Sequence, residues 1–400
     1  MPANRHCGAL TEETNIFIAG AGIAGLTAAL TLAQRGLEVA IADTFEEPSE
    51  VGAGLQVAPN ASAILSSLGV LDSLTERAIT PSSIRLGDAP SGRILLDMPI
   101  TREWLDRMDA PYLTAHRAAL HGVLYQAAVA HPAIRVLTGH AVVEVRESGE
   151  HVTTVLRSGE GETVMVSRLA IGADGIWSKL RESVRDAAKP RSTGRIAWRA
   201  IAPTDSDAKC VTAWMMPKGH LVTYPVRNAD TLNVVAITTG TSKQGDWAQS
   251  AEAGPLARLL DEARSIDGFA AIEKANWTTW PLNSVDPAGS WHSARILLIG
   301  DAAHGMEPFA AQGAAMAIED GYAAGVCIGN QPDDPAKSFP RYSAMRRGRV
   351  AKVAKRTEFN RWVYHQSGLG RKARNLYFSM RKPAAFFSDL DWLYRYRISE

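Results

Sequence analysis

"NIFIAGAGIAGLTAALTLAQRGLEVAIAD", running from Asn15 to Asp43, decides the fold. An apolar strand ends at Gly20, and a helix is expected from Ile23 through Arg35. Gly36 stops it as a left-handed C-cap, and "LEVAIAD" forms a second buried strand. The turn between strand and helix is Gly20-Ala21-Gly22-Ile23-Ala24-Gly25, a GxGxxG. Gly20 allows the turn, Gly22 lets backbone approach a pyrophosphate, and Gly25 allows close helix–strand packing. The helix N-terminus adds free N–H groups and positive potential for phosphate. Asp43 closes the second strand, where an acid reaches ribose hydroxyls. Strand, helix and acid together read as a dinucleotide site, without saying which dinucleotide.

The same stretch is apolar enough to suggest a signal peptide or membrane helix. Its glycines and the acids before it, Glu12 and Glu13, argue instead for a compact β-α unit. Residues 1–14 are expected to form a loose tail.

Composition fits a folded α/β protein. The 400 residues are 46% hydrophobic and 21% charged, which excludes disorder. A net charge of +1 provides no global field for nucleic acid or anionic membrane. Cys7, Cys210 and Cys327 lie far apart with no metal or disulfide spacing, so a cytoplasmic, reducing setting is expected.

Outward from the fingerprint, "APNASAILSSLGVLDSL" reads as one helix, and Arg117 to His131 as another that Pro132 ends. Alternating segments from "IRVLTGHAVVEVRE" to "TVMVSRLAIGAD" read as strands. "GRIAWRAIAP", "CVTAWMM", "HLVTYPVR" and "TLNVVAITT" predict an antiparallel sheet in mid-chain, and Gly240 to Ala271 surface helices. "ARILLIGD" returns to a buried strand. Beyond Pro340, "RYSAMRRGRVAKVAKR" and "GRKARNLYFSMRK" are dense in Arg and Lys and read as a solvated helical face.

Two further stretches carry chemistry. In "LAIGADGIWSKLRESV", Asp174-Gly175 turns a strand end towards a helix opened by Ser178 and Arg181; alone it could be an ordinary β-turn. In "ILLIGDAAHGMEPFAAQGAAMAIEDG", Asp301 tips a buried strand and Pro308 stiffens the loop. Gln312-Gly313-Ala314-Ala315 then opens a helix of small residues, whose N-terminus stabilises negative charge.

GxGxxG first, DG near 174 and GD near 300 together resemble the single-component FAD-dependent aromatic hydroxylases, in the group of salicylate, 3-hydroxybenzoate and 6-hydroxynicotinate hydroxylases. The likeness spans roughly Asn15 to Gly329, and "DWLYRYR" near the C-terminus also looks familial. It implies a Rossmann-type α/β FAD-binding domain interrupted by a β-sheet substrate domain, with C-terminal helices. The expected boundaries are 15–85, 112–185 and 285–330 for FAD, 86–111 and 186–284 for substrate, and 331–400 for the helical region.

By that resemblance Gly20, Gly22, Gly25 and Asp43 bind the ADP half of FAD, and Arg117, in "HRAAL", contacts FAD. Gly52, Ala53 and Gly54, in "VGAGLQVAPN", lie beside the flavin. Asp174 and Gly175 sit near FAD and the nicotinamide path, and Asp301 holds the ribityl chain. Pro308, Gly313, Ala314 and Ala315 face the ring. NADH or NADPH binds transiently as reductant, because the single fingerprint belongs to FAD. The implied reaction is oxygen transfer from O2 to a small phenol or hydroxylated heteroaromatic through a flavin C4a-hydroperoxide. A monomer or homodimer with no integral membrane segment and no nucleic-acid partner is expected. A reductase on the same fold, or a non-catalytic dinucleotide-binding module, is the alternative.

In "GHLVTYPVR", His220 and Tyr224 share one face of a strand. They are either a structural pair or the phenol site; the resemblance favours the site, with His220 taking the phenolic proton and Tyr224 assisting. His304 reads as a core residue, "WTTWPL" at Trp277 only superficially as a halogenase motif, and Trp198 and Trp214 as sheet packing. Relatives often carry G-x-G where this chain has Gly313-Ala314-Ala315, and an apolar residue where it has Glu307. Glu307 is expected to be a solvated loop carboxylate; pointing inward, it would disfavour a ring carboxylate. No cationic partner for a ring carboxylate is evident in the sequence.

Overall fold

The computed structural model describes residues 10–46, 54–204, 209–226, 230–240 and 253–399. The expected positions Gly52 and Ala53 lie outside these residues.

The apolar run before Gly20 is a strand, Leu10–Ala19, at the centre of the first sheet. It pairs in parallel with Val39–Ala42 on one side and Gly161–Gly172 on the other. Ile134–Leu137 extends the parallel array beyond Val39–Ala42. The long strand Gly161–Gly172 splits its outer edge: its early residues pair with the hairpin strand His151–Ser158, its last three with Ile296–Leu298. Leu10 is already in register with Thr163, so residues 10–14 are strand rather than the expected loose tail, and residues 1–9 lie outside the described residues. Gly20, Asp43, Ala173 and Ile299 therefore follow the carboxyl ends of parallel strands, where ligands bind in open α/β sheets.

The helix after the fingerprint, Ile23–Gln34, is buried almost throughout. It packs against a second buried helix, Gly313–Asn330, across a glycine face. A Cβ on Gly321 would stand 2.4 Å from the Ala24 carbonyl oxygen, and one on Gly325 2.5 Å from the Thr31 side chain. Without those side chains the two backbones approach closely, and both helix N-termini open at the same end of the sheet. The segment after Ala58 is two helices, Pro59–Ser67 and Leu71–Thr75, rather than the single one expected; Gly69, at φ +73°, breaks it.

The second sheet has seven strands in the order 278–284, 191–203, 231–239, 219–226, 210–216, 83–88 and 93–99. Ser83 already pairs with Cys210, so a domain boundary at residue 86 would cut a strand; the hairpin enters whole. Trp198 and Trp214 pack this sheet against the helix Gly254–Glu262, their indole N–H groups bonded to Thr238 and Thr223.

The C-terminal helices depart from the expected solvated face. Arg346 is fully buried and Arg349 and Arg374 nearly so. In the helix Pro335–Tyr364, Arg346 binds Glu319 and Asp320, and Arg349 binds Glu319 and the carbonyls of Trp392 and Leu393. Arg371 and Arg374, on Gly368–Met380, clamp the buried Asp88 at the tip of the hairpin. Burial works against an ionised Asp88, yet hydrogen bonds from Arg371 and Ser91 hold its carboxyl well below the usual range. These ion pairs fix the C-terminal helices over the gap between the two sheets. Among the described residues no helix is long and apolar enough to cross a membrane, and no cluster of three metal-ligating side chains occurs.

Candidate active site

A cavity of about 980 Å³ occupies that gap, walled by the fingerprint end of the first sheet, one face of the second sheet and the C-terminal helices. Its fingerprint wall divides the glycines by role. Gly20, at φ +97°, lies so close to Ala173 that a Cβ would sit 2.4 Å from the Ala173 carbonyl oxygen. A Cβ on Gly25 would come 1.9 Å from the Gly20 oxygen. These two are packing glycines behind the wall. Gly22 lines the cavity and has nothing within 4 Å of where a Cβ would point. It is also the N-cap of its helix and offers no side-chain cap, so the first-turn N–H groups stay available. Asp43 supports this turn, its Oδ2 accepting the Ala21 N–H at 2.7 Å; it is not part of the cavity wall.

The second helix N-terminus repeats the arrangement. Gln312 caps it without a side-chain bond, Gly313 has open space within 4 Å, and Gly313, Ala314 and Pro308 line the cavity. Ala315 is buried behind them. Asp301 is surrounded by protein but open to the cavity, and its carboxylate has no hydrogen bond among the described residues. Burial pushes that carboxyl up, against the pull of His304 and Arg117. Arg117 faces it from the start of Arg117–Ala130. Two uncapped helix N-termini, two open Cβ directions and an unbonded carboxylate fit the pyrophosphate, ring and ribityl hydroxyls of FAD.

Asp174 anchors the turn that follows it. Its Oδ2 accepts the N–H groups of Lys179 and Leu180, so the acid builds its own turn, while Gly175 lines the cavity. The expected helix after it is a short 3-10 turn, Leu180–Ser183. Gly54 lines the cavity too; its N–H donates to Asn233 at 2.6 Å, and a Cβ would stand 2.7 Å from the Tyr224 ring.

His220 and Tyr224, on Gly219–Val226, both reach the cavity from the second sheet. His220 is 1% exposed, packed against Phe309 and Tyr364, with Nδ1 3.3 Å from His365 Nε2. Burial first, then His365, lowers its pKa well below the ordinary histidine value. His365, half-buried, is lowered to about 4 by burial and by Arg195, Arg361 and Arg374. Both imidazoles are neutral at pH 7, so one donates to the other. Burial pushes the Tyr224 hydroxyl up, against the influence of Arg199, so it stays protonated.

Glu307 corrects the expectation of a solvated carboxylate: it pairs with Arg195 of the second sheet at 2.9 Å and is 14% exposed. His304 is a core residue, bonded to Asp320, which also accepts the Gly300 N–H and so holds the strand tip before Asp301. Sequence reading passed over Arg199, the Tyr112–Gln56 hydrogen bond at 2.6 Å, and the C-terminal residues Asn360, Tyr364 and Arg374, all on the cavity wall. Only Arg199 had a local signal, since alternation in "GRIAWRAIAP" puts it on the face shared by Arg195.

The FAD binding domain family matches residues 13–357. The chain is 32% identical to a 3-hydroxybenzoate 6-hydroxylase of Klebsiella oxytoca, over 97% of this chain and 98% of that protein. It is 30% identical to a 6-hydroxynicotinate 3-monooxygenase of Pseudomonas fluorescens, over 88% and 93%. Among solved structures, a salicylate hydroxylase substrate complex shares the fold with a TM-score of 0.76, at 23% identity over 96% of each chain. The chain belongs to the FAD-binding family of flavin-dependent aromatic monooxygenases.

Proposed function

We propose that this enzyme uses NADH or NADPH and O2 to hydroxylate a small phenol or hydroxylated heteroaromatic, with His220 as the group that takes the substrate's hydroxyl proton. The observation that carries the reading is that His220 and Tyr224 open onto the same cavity as Gly22, Asp301 and Gly313. FAD, when bound, supplies the oxygen-transfer chemistry. In this reading Gly22 and the helix behind it hold the pyrophosphate, Asp301 the ribityl hydroxyls, and Gly313 with Ala314 the ring's electron-rich end.

Ionising a phenol raises electron density at its ortho and para carbons, which an electrophilic oxygen then attacks. His220 Nδ1 is engaged with His365, which leaves Nε2 for the substrate hydroxyl. A proton taken there passes through the imidazole pair to His365, which is partly exposed and, held at about 4, releases it to solvent. Tyr224, kept protonated, donates to the phenolate oxygen. Phe309 and Tyr364 exclude water around His220, so the ionisation happens in a dry site. A cytoplasmic setting agrees with Cys210 and Cys327 being free and buried.

The test is NAD(P)H oxidation and peroxide release measured together across a panel of hydroxylated aromatics. Hydroxylation predicts substrate-stimulated oxidation with little peroxide and an oxygenated product. Turnover that consumes no O2 would instead mark a reductase.

A further inference from the structure

The helix Gly368–Met380 shows water the wrong face. A surface helix ordinarily buries its apolar stripe and exposes its polar one. Here Arg371 and Arg374 turn inward onto Asp88, and Phe378 is buried on the same side. Positions 369, 372, 373, 376, 377 and 380 share the opposite face, and apart from Lys372 they are Leu, Ala, Leu, Tyr and Met. All of them are exposed, Leu369 at 82% and Met380 at 75%. The neighbouring helix Pro335–Tyr364 adds Phe359 and Trp362, exposed rings 6.2 Å apart. Six of the eleven exposed large apolar side chains among the described residues are thus gathered on two helices. Single exposed apolar residues are ordinary on a protein surface; a gathered patch marks a contact.

Area and charge point to the partner. At about 150–250 Å² for a large side chain, Phe359, Trp362, Leu369, Leu376, Tyr377 and Met380 together offer roughly 600–900 Å². That exceeds most apolar patches on monomers, about 300–600 Å², and meets the ~800 Å² per partner of a stable interface. Exposed charges on these helices and just beyond them carry both signs, Lys355, Lys372 and Lys382 with Glu358 and Asp389. A mixed rim suits another protein face better than an anionic lipid surface. A two-fold contact needs no other chain: it lays the apolar stripe of one copy on that of the next and offers each sign its opposite.

We propose that a second copy of this chain covers this face, joined about a two-fold axis, and that the contact closes the active-site cavity. Phe359, Trp362 and Tyr377 belong both to the patch and to the cavity wall, so the cavity reaches the surface among them. Covering them shuts that opening and keeps water from the site. The contact itself rests on the helix faces alone; its consequence for turnover rests on the function proposed above.

The experiment measures the mass of the purified FAD-loaded enzyme by sedimentation at micromolar concentration, for wild type, Leu376→Glu with Met380→Glu, and Val129→Glu. Leu376 and Met380 lie off the cavity wall, and Val129 is exposed on a helix elsewhere. Wild type and Val129→Glu should sediment at twice the chain mass. The double variant should be a monomer, its dimer dissociation constant raised about 100-fold or more by carboxylates buried in the contact. Its circular dichroism and bound flavin should match the wild type, and in turnover it should release more peroxide per NAD(P)H oxidised. Leu369→Glu, on the same stripe, repeats the test should the double variant misfold. A wild-type monomer, including one that sediments with anionic lipid vesicles, would overturn the proposal. So would a dimer that the stripe variants leave intact, or a monomeric variant whose peroxide release is unchanged. Because mass is read without turnover, a failed hydroxylation reading shows itself separately, as a dimer that forms no oxygenated product.

Discussion

Gly313→Ala separates the demands of the fold from those of the cofactor. A Cβ at this position meets nothing within 4 Å, so the apoprotein has room for it. Gly313 is the first residue of its helix, and replacing Gly by Ala there stabilises the apoprotein by up to ~1 kcal/mol. The added methyl projects into the space assigned to the flavin ring. Overfilling a packed contact costs about 1–3 kcal/mol, or roughly 5- to 150-fold in FAD affinity. The assay pairs thermal denaturation of the apoprotein with a fluorescence titration by FAD. An apo melting temperature equal to or above wild type, with weakened FAD binding, is the expected result. Destabilised apoprotein with unchanged FAD affinity would refute the division between packing glycines and cradle glycines. Gly25→Ala should behave oppositely and destabilise the apoprotein itself, because its Cβ would sit 1.9 Å from the Gly20 carbonyl oxygen.

Three more outcomes follow from the geometry. His220→Gln should lower the hydroxylation rate about 10²- to 10⁴-fold while leaving flavin content unchanged, measured by coupled product formation; an unchanged rate removes the assigned base. Arg346→Leu leaves Glu319 and Asp320 without their shared partner and should destabilise by about 3–5 kcal/mol in urea melts; a loss under 1 kcal/mol would show that the network contributes little. Acid should weaken the fold through His365. Its folded value, about 4, lies below the ordinary 6.5, so the unfolded chain binds more protons between them and stability falls as pH drops through that window. That contribution is ~2 kcal/mol by pH 5. His365→Asn should lose correspondingly less stability between pH 7.5 and 5, and equal losses would contradict the assignment.

The fingerprint half of the molecule was legible because its information is local. Gly20, Gly22 and Gly25 state a turn, an approach and a packing contact within six residues, and Asp43 follows one strand later. The second sheet was legible from alternation, which also put His220 and Tyr224 on one face. What escaped depends on pairing between distant segments. Nothing near Glu307 says that Arg195 will meet it, and nothing near Arg346 says that Glu319 and Asp320 will bury it. A basic helix looks solvated until its carboxylate partners, on another helix, are known. The same limit concealed Arg199: alternation could show which way it faces, but only the assembled sheet shows that no carboxylate among the described residues meets it.

The most direct test of the central claim is a turnover experiment under ¹⁸O2 with NAD(P)H and 3-hydroxybenzoate, comparing wild type with His220→Gln. One labelled oxygen in the aromatic product, formed in step with NAD(P)H oxidation and largely lost in the variant, is the predicted result. Unlabelled product, or oxidation that yields only peroxide across the whole panel of hydroxylated aromatics, would contradict it.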